Sequence, residues 1–166
     1  MIEFLKIAGA NIIVLDLNDK RLEFCRKRMG VCHVIQADGK GGELKELDRI
    51  TDGALPADVF DATGNVHSMS NAFQYVGHAG RLVFVGIVTA DVSFSDPLFH
   101  AREMTLYASR NAMPEDFDRI IELIEKGQLD TQPWITHRTG FDSLIEDFPS
   151  FTKPETGVIK AIVEVG

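Results

Sequence analysis

An acidic side chain closes the first apolar run of this sequence and precedes a basic stretch with helical spacing. The run covers residues 11–16 and ends on Asp16. A carboxylate at the carboxyl end of such a strand can accept hydrogen bonds from both hydroxyls of an adenosine ribose, and it repels a 2′-phosphate. Arg21, one turn into the following stretch, could flank the adenine ring. This arrangement favours NAD over NADP as a ligand.

Two other interpretations fit the same residues. Asp16 and Asn18 could simply form an N-terminal cap for the helix that follows, because short polar side chains accept hydrogen bonds from the free amides of a first helical turn. A carboxylate here could also hold the ribose of S-adenosylmethionine in a methyltransferase. The run GRLVFVG, residues 80–86, would suit that fold too. The residues around Asp16 do not choose among the three.

Short apolar runs alternate with amphipathic stretches along the chain. The predicted strands are residues 11–16, 31–36, 58–62, 81–86 and 104–108. The first and fourth are nearly continuous apolar runs, as in strands that are buried on both faces of a parallel sheet. Neither repeats nor low-complexity tracts interrupt the alternation, which predicts a doubly wound α/β fold.

Between these strands, apolar residues recur at helical spacing. The predicted faces are Leu22, Cys25 and Met29; Leu44, Leu47 and Ile50; and Val66, Met69, Phe73 and Val76. A stronger helix carries the apolar stripe Phe117, Ile120, Ile121 and Ile124, with Pro114 near its start and Gly127 just past its end. The last residues differ: PWITHRTGF, an acidic helix around Leu144 and a strand VIKAIVEV are expected to leave the sheet and join something else.

Composition limits the classes of partner. The net charge is −8, from 17 basic and 25 acidic residues, so nucleic acid and anionic membranes are poor candidates. The longest apolar runs have the length of strands, and residues 1–10 lack the features of a signal peptide. Cys25 and Cys32 do not make a disulfide framework, which favours a reduced, cytoplasmic setting.

Six segments, in order and spacing, resemble the C-terminal half of the zinc-type medium-chain alcohol dehydrogenases. The closest branch is that of the sugar-alcohol, sugar-acid and threonine dehydrogenases. The segments are NIIVLDLNDKRLEFCRKRMGVCHVIQADG, DVFDATGN, GHAGRLVFVG, FHAREMTLYASRN, PWITHRTGF and GVIKAIVEV. They cover nearly the whole chain. The later ones, with ASRN and ITHR, weigh against a methyltransferase.

The resemblance implies a truncated, doubly wound, Rossmann-like parallel sheet that lacks the first strand and the glycine loop. MIEFLKIAGA would correspond to the tail of the first Rossmann helix, and no G-x-G-x-x-G occurs in the sequence. Residues 1–131 would form the truncated NAD-binding domain, and residues 132–166 would return to a catalytic domain. In the strand order 3-2-1-4-5-6 the first strand is central. We therefore expect strands 11–16 and 58–62 to pair directly, or another strand, such as one from a second chain, to fill the gap.

The resemblance also implies a set of coenzyme-binding residues. They are Asp16 and Arg21 at the adenosine ribose; Ala62, Thr63, Gly64 and Asn65 after the strand 58–62; Val85, Gly86 and Ile87 flanking the nicotinamide; Ser109, Arg110 and Asn111 at its rim; and Lys160 toward the pyrophosphate. Gly64 and Gly86 have a simpler alternative as tight turns at strand ends, and Lys160 could equally be a solvated charge at a sheet edge.

Catalysis in this family is hydride transfer between an alcohol carbon and NAD, with zinc as a Lewis acid. None of the five histidines has a partner at metal-ligand spacing, so the sequence predicts no metal ligand and no catalytic residue. We expect NAD binding to be weak or absent and the isolated chain to be inactive. The alternative is a free-standing nucleotide-binding or interaction subunit of a split enzyme.

The resemblance finally suggests association. Without a catalytic domain, five apolar side chains lose their expected partners: Trp134, Ile135, Phe141, Phe148 and Phe151. Residues 92–108 resemble the sheet edge that forms the dimer in this family. We therefore expect a homodimer or a larger assembly.

Overall fold

The computed structural model describes residues 1–165, which form seven α-helices, seven β-strands and three short 3-10 turns. The helices are α1 Ile2–Ile7, α2 Asp19–Lys27, α3 Gly42–Ile50, α4 Val66–Asn71, α5 Asp96–Ala101, α6 Pro114–Glu125 and α7 Leu144–Phe151. The strands are β1 Ile13–Asp16, β2 His33–Gln36, β3 Asp58–Asp61, β4 Arg81–Phe84, β5 Thr105–Ala108, β6 Ile135–Gly140 and β7 Lys160–Glu164. The alternation of helix and strand is that of an α/β protein, as the sequence predicts.

Every strand pair is parallel. β1 pairs with β2, β4 lies between β3 and β5, and β6 pairs with β7. Each predicted strand contains an observed one, which starts up to two residues later or ends up to two residues earlier. Helix α5 and strand β6 are additions that the apolar pattern does not reveal.

The expected direct pairing between the strands of residues 11–16 and 58–62 is wrong. Within residues 1–165, β1 pairs only with β2, and β3 pairs only with β4. Each of the two strands is paired along one edge with the strand that follows it in the chain. The remaining alternative, a strand from a second chain, stays a prediction.

The described chain forms two compact units, and the unit Asp38–Ala112 contains the main apolar core. Helix α4 continues into the 3-10 turn Ala72–Tyr75, which keeps Met69, Phe73 and Val76 on one buried face, as the spacing predicts. Phe73 and Val76 of this face pack with Leu82 of β4. Around it the rings of Phe84, Phe94 and Phe99 contact Phe73.

The other unit comprises Met1–Ala37 and the residues from Met113 onward. Leu22 and Met29 of the predicted α2 face are buried, and Cys25 is half-buried. Trp134 donates its indole N–H to the sulfur of Met29 over 3.2 Å, and Phe151 contacts the ring of His137. Trp134 and Phe151 therefore have partners within the chain, and the expected loss of contacts with a catalytic domain stays a prediction.

Helix α6 has the predicted ends and an uncovered apolar face. It begins at Pro114, and Gly127 takes the left-handed φ of 66° just past its end. Yet none of its residues is buried, and Phe117, Ile121 and Ile124 are exposed. The stripe that sequence periodicity predicts is present, but three of its four residues are exposed and Ile120 is half-buried.

Candidate functional site

Asp16 is the last residue of strand β1, and its carboxylate is fixed by neighbouring groups but remains accessible to solvent. Its Oδ1 accepts the backbone N–H of Asn18 at 2.8 Å, and its Oδ2 lies 3.7 Å from Nη1 of Arg21. The side chain is 28% exposed. Burial and, to a lesser extent, the negative charge of Asp16 raise the pKa of the Cys25 thiol. Asp16 therefore keeps lone pairs free for hydroxyl donors, and the thiol beside it stays protonated.

The capping interpretation holds for Asn18 but not for Asp16. Asn18 is the N-cap of α2, and its side-chain oxygen accepts the backbone N–H groups of Lys20 at 2.9 Å and Arg21 at 3.3 Å. Asp16 accepts only the amide of the cap residue itself, outside the helix. The two polar residues thus have separate roles: Asn18 accepts the first amides of α2, whereas Asp16 accepts the amide of Asn18.

The turn after β3 is organised by a buried carboxylate that sequence analysis missed. Asp61 is 5% exposed, and its Oδ1 accepts the backbone N–H of Thr63 at 2.9 Å and the Thr63 hydroxyl at 2.7 Å. Its Oδ2 accepts the hydroxyl of Ser68 at 2.6 Å. The Asp-x-Thr spacing that precedes Gly64 is a signal for such a turn, because Asp side chains bond to backbone groups two residues on.

The turns after β3 and β4 are packed directly against each other. The carbonyl of Asp61 accepts the N–H groups of Val85 at 2.8 Å and Gly86 at 2.9 Å. A Cβ on Gly86 would lie 2.5 Å from the nitrogen of Gly64, so only glycine fits there. Gly64 itself has φ 60°, and a Cβ on it would lie 3.1 Å from the carbonyl oxygen of Ile87. Tight-turn packing therefore explains both glycines and brings residues 62–65 and 85–87 together.

The rest of this turn leads into helix α4. Asn65 is the N-cap, and its side chain accepts the N–H groups of His67 at 3.0 Å and Ser68 at 3.2 Å. Its own N–H donates to the Thr63 hydroxyl at 3.1 Å. Beyond the neighbouring turn, Ile87 is exposed. The pair of turns thus presents a fixed polar backbone with an apolar side chain beside it.

The remaining predicted residues lie at the ends of β5 and β7. Ser109 donates its N–H to the carbonyl of Phe84 at 2.8 Å, which places it beside the turn that follows β4, and Asn111 has φ 63°. Arg110 lies between them and is exposed. Lys160 begins β7, is exposed and forms no ion pair within residues 1–165. Asp16, Arg21 and Lys160 belong to one unit, and the other predicted residues belong to Asp38–Ala112.

Both a metal-ligating cluster and a membrane-spanning helix are absent from the described residues. No group of three or more His, Cys, Asp or Glu side chains in residues 1–165 could hold a metal ion. In the same part of the chain no helix is long and apolar enough to cross a membrane.

Parallel strands joined by helices, with an acidic residue ending β1 and close-packed glycine turns after β3 and β4, define an α/β domain of the kind that carries the coenzyme in dehydrogenases. The family model "Zinc-binding dehydrogenase" matches residues 1–126, and the chain belongs to that family.

Individual relatives agree with this assignment. The chain is 33% identical over 158 residues to L-galactonate-5-dehydrogenase of Escherichia coli K12, covering 95% of this chain and 46% of that protein. Among solved structures, 2R,3R-butanediol dehydrogenase from Bacillus subtilis matches with a TM-score of 0.86 at 22% identity, over 99% of this chain and 47% of that one. An alcohol dehydrogenase from E. coli CFT073, complexed with cofactor NADH, matches with a TM-score of 0.87 at 20% identity, over 99% and 48%. The chain thus spans about half the length of the relatives it matches, and the structural likeness supports the fold.

Proposed function

We propose that this chain is the coenzyme-binding portion of an NAD-dependent, zinc-type dehydrogenase that transfers hydride between a secondary alcohol and NAD. The observation that carries the proposal is the partly exposed carboxylate of Asp16 at the carboxyl end of a parallel strand, fixed by the Asn18 amide and beside Arg21. A carboxylate at this point accepts the two ribose hydroxyls of NAD and repels the 2′-phosphate of NADP.

The second turn region would receive the nicotinamide end. Close packing of Gly64 and Gly86 fixes the backbone there, and Ile87 offers an exposed apolar surface for one face of a ring. NAD, when bound, supplies the hydride acceptor at C4 of the nicotinamide. Ser109, Arg110 and Asn111 would form the rim, and Lys160 would approach the pyrophosphate.

A secondary alcohol of a polyol or sugar acid is the proposed substrate class. Several relatives carry names of that kind, among them L-galactonate-5-dehydrogenase, L-arabinitol 4-dehydrogenase and D-xylulose reductase. Because residues 1–165 contain no group of three or more His, Cys, Asp or Glu side chains that could hold a metal ion, the proposed roles of these residues are confined to coenzyme binding.

We further propose that the 166 residues alone bind NAD no tighter than millimolar and oxidise no polyol. The sequence contains no G-x-G-x-x-G loop, which in this fold donates backbone N–H groups to the pyrophosphate. Losing three charge-assisted hydrogen bonds of roughly 1.5–3 kcal/mol each weakens binding by about three or more orders of magnitude.

The adenosine site is tested by titrating the isotope-labelled chain with millimolar NAD and monitoring the amide chemical shifts by nuclear magnetic resonance. Asp16→Asn should weaken binding, and NADP should bind more weakly than NAD to the unsubstituted protein. The matched control is Asp19→Asn, which removes the same charge from an exposed position on α2 and should leave binding unchanged. Micromolar NAD affinity by calorimetry, or turnover of a polyol by metal-free protein, would contradict the proposal.

A second candidate is an interaction subunit of a split enzyme. It is favoured by the uncovered stripe of α6 and by the exposed side chains of Phe141, Ile145 and Phe148 around α7. The DNA immediately upstream of Met1 discriminates between the two. A separate reading frame encoding a glycine loop and a G-H-E segment supports a split enzyme, whereas the same segments in frame support one longer chain.

Association into a cytoplasmic homodimer is the last part of the proposal. Strand β5 is exposed along its length and leaves one edge of its sheet open, and both cysteines are free thiols. Light scattering at micromolar concentration should give a dimer or larger species. Tyr107→Lys on this edge should give monomers, whereas Ile145→Lys on α7 should not. A monomeric unsubstituted protein would count against association.

A further inference from the structure

We propose that Asp61 is a positioning residue for the nicotinamide end of the coenzyme site. The inference rests on the proposed coenzyme-binding function and adds a residue that is missing from the predicted set of coenzyme-binding residues. Asp61 would act through the two glycine turns rather than by touching the ligand.

One residue holds both turns at once. The Asp61 side chain accepts three hydrogen bonds, from the backbone and hydroxyl of Thr63 and from the hydroxyl of Ser68 on α4. Its backbone carbonyl accepts the N–H groups of Val85 and Gly86 in the neighbouring turn. The turn after β3, the start of α4 and the turn after β4 are thus all tied to a single residue.

The Asp61 carboxylate forms no ion pair with another side chain within residues 1–165, although it is almost fully buried. A buried carboxylate normally has a counter-ion or strong donors, and here the donors all come from the turn and from α4. Removing the charge would therefore act first on the geometry of residues 63–68.

Because Gly64 and Gly86 are closely packed, a displacement of the turn after β3 would also displace the turn after β4. Gly86 and Gly64 approach so closely that a Cβ between them would clash, and Gly64 also faces the carbonyl of Ile87. Because there is no spare room, a shift of Thr63 and Gly64 moves Val85–Ile87 as well. Those residues are where the nicotinamide ring would lie, whereas the adenosine acceptor Asp16 belongs to the other unit.

The test compares NAD with ADP-ribose, which lacks the nicotinamide, in amide-shift titrations of the full chain. Asp61→Asn should weaken NAD binding by about tenfold relative to ADP-ribose, as expected for the loss of charge-assisted hydrogen bonds. It should also reduce the NAD-induced shifts of Val85–Ile87. The matched control is Asp58→Asn at the other end of β3, where the exposed carboxylate pairs with Arg81. This control should leave the ratio of the two affinities unchanged.

Each outcome is decisive. Parallel weakening of NAD and ADP-ribose in Asp61→Asn, or no weakening of either, would show a purely structural role and overturn the inference. Unsubstituted protein that binds both ligands equally would overturn it too, while leaving the adenosine site intact. Unsubstituted protein that shows no amide shifts with either ligand at millimolar concentration would overturn the inference for this chain, while leaving its family assignment intact. If Asp61→Asn does not fold, Ser68→Ala removes only the donor to Oδ2 and should show a smaller, NAD-specific loss.

Discussion

Each of the two compact units contains a helix with a regular apolar stripe, but the stripe is buried in one unit and exposed in the other. In Asp38–Ala112, the apolar residues spaced along α4 and its 3-10 continuation are buried, with Phe73 only 2% exposed. In the other unit, the equally regular stripe of α6 faces solvent, with Phe117 58% exposed. Helical periodicity therefore identifies which face of a helix is apolar, but it does not identify what covers that face.

The difference follows from what each unit contains. Strand β4 has a parallel neighbour on both sides and the α4 face packed on it, so the elements that bury Phe73 and Leu82 all belong to Asp38–Ala112. In the described part of the chain, strand β1 has a single paired neighbour, and none of its residues is fully buried. The unit with α6 therefore buries less apolar surface among its own elements than Asp38–Ala112 does.

The largest effect should come from truncating one phenylalanine in each region. Phe73→Ala should lower the free energy of unfolding by about 3–5 kcal/mol, because it leaves a cavity among Val76, Leu82 and the surrounding rings. Phe117→Ala should change the stability by less than about 0.5 kcal/mol, because the exposed ring loses few contacts. Urea unfolding followed by far-ultraviolet circular dichroism measures both.

Equal costs for the two substitutions would contradict the comparison. A large cost for Phe117→Ala that disappears on dilution would indicate that a second copy of the chain covers α6 in solution.

A smaller effect is expected at the edge of the buried core. The Tyr75 hydroxyl donates to Oε1 of Glu43 at 2.9 Å, and Oε2 of this buried carboxylate has no hydrogen-bond partner within residues 1–165. Tyr75→Phe would deprive the other oxygen of its partner as well and should cost about 1–3 kcal/mol. The double variant Glu43→Leu, Tyr75→Phe should recover much of this loss, because it removes both polar groups. A double variant less stable than Tyr75→Phe would contradict the explanation.

The same pair gives a pH dependence with a definite sign. Burial, and then the hydrogen bond and charge of Glu43, raise the pKa of Tyr75. The stability that this shift contributes is fully present below the ordinary tyrosine pKa of about 10 and is lost as the pH rises through the higher folded-state pKa. Between about pH 9 and pH 11 the unsubstituted protein should therefore lose more stability than Tyr75→Phe. If the free energy of unfolding, measured with urea at each pH, falls equally with pH in both proteins, the explanation from the Tyr75 pKa is wrong.

The sequence was informative where backbone periodicity and strand ends decide the structure. The strands, the α2 and α4 faces and the position of Asp16 at a strand end follow from apolar runs and spacing. Asp61 was missed because an acidic residue inside a strand gives no periodic signal, and its hydrogen bonds depend on the turn that follows. The exposure of the apolar stripe of α6 could not be predicted, because whether a helix face is buried depends on residues distant in sequence.

The smallest effect concerns the helix ends, where the two units should behave alike. Asn18 and Asn65 cap α2 and α4, and each side chain accepts two backbone N–H groups. Asn18→Ala and Asn65→Ala should each cost about 1 kcal/mol, because the capping bonds are local and do not depend on how well the helix face is covered. Urea unfolding measures both, with the fluorescence of Trp134 reporting on the unit that contains Asn18.

If Asn65→Ala costs several times more stability than Asn18→Ala, the turn after β3 is more tightly coupled to its unit than its capping bonds account for. In that case the bonds from Thr63 and Ser68 to Asp61 are the source to examine, because both donors flank Asn65. If both substitutions lower the free energy of unfolding equally, the two units differ in the burial of their apolar helix faces and not in the strength of their helix caps.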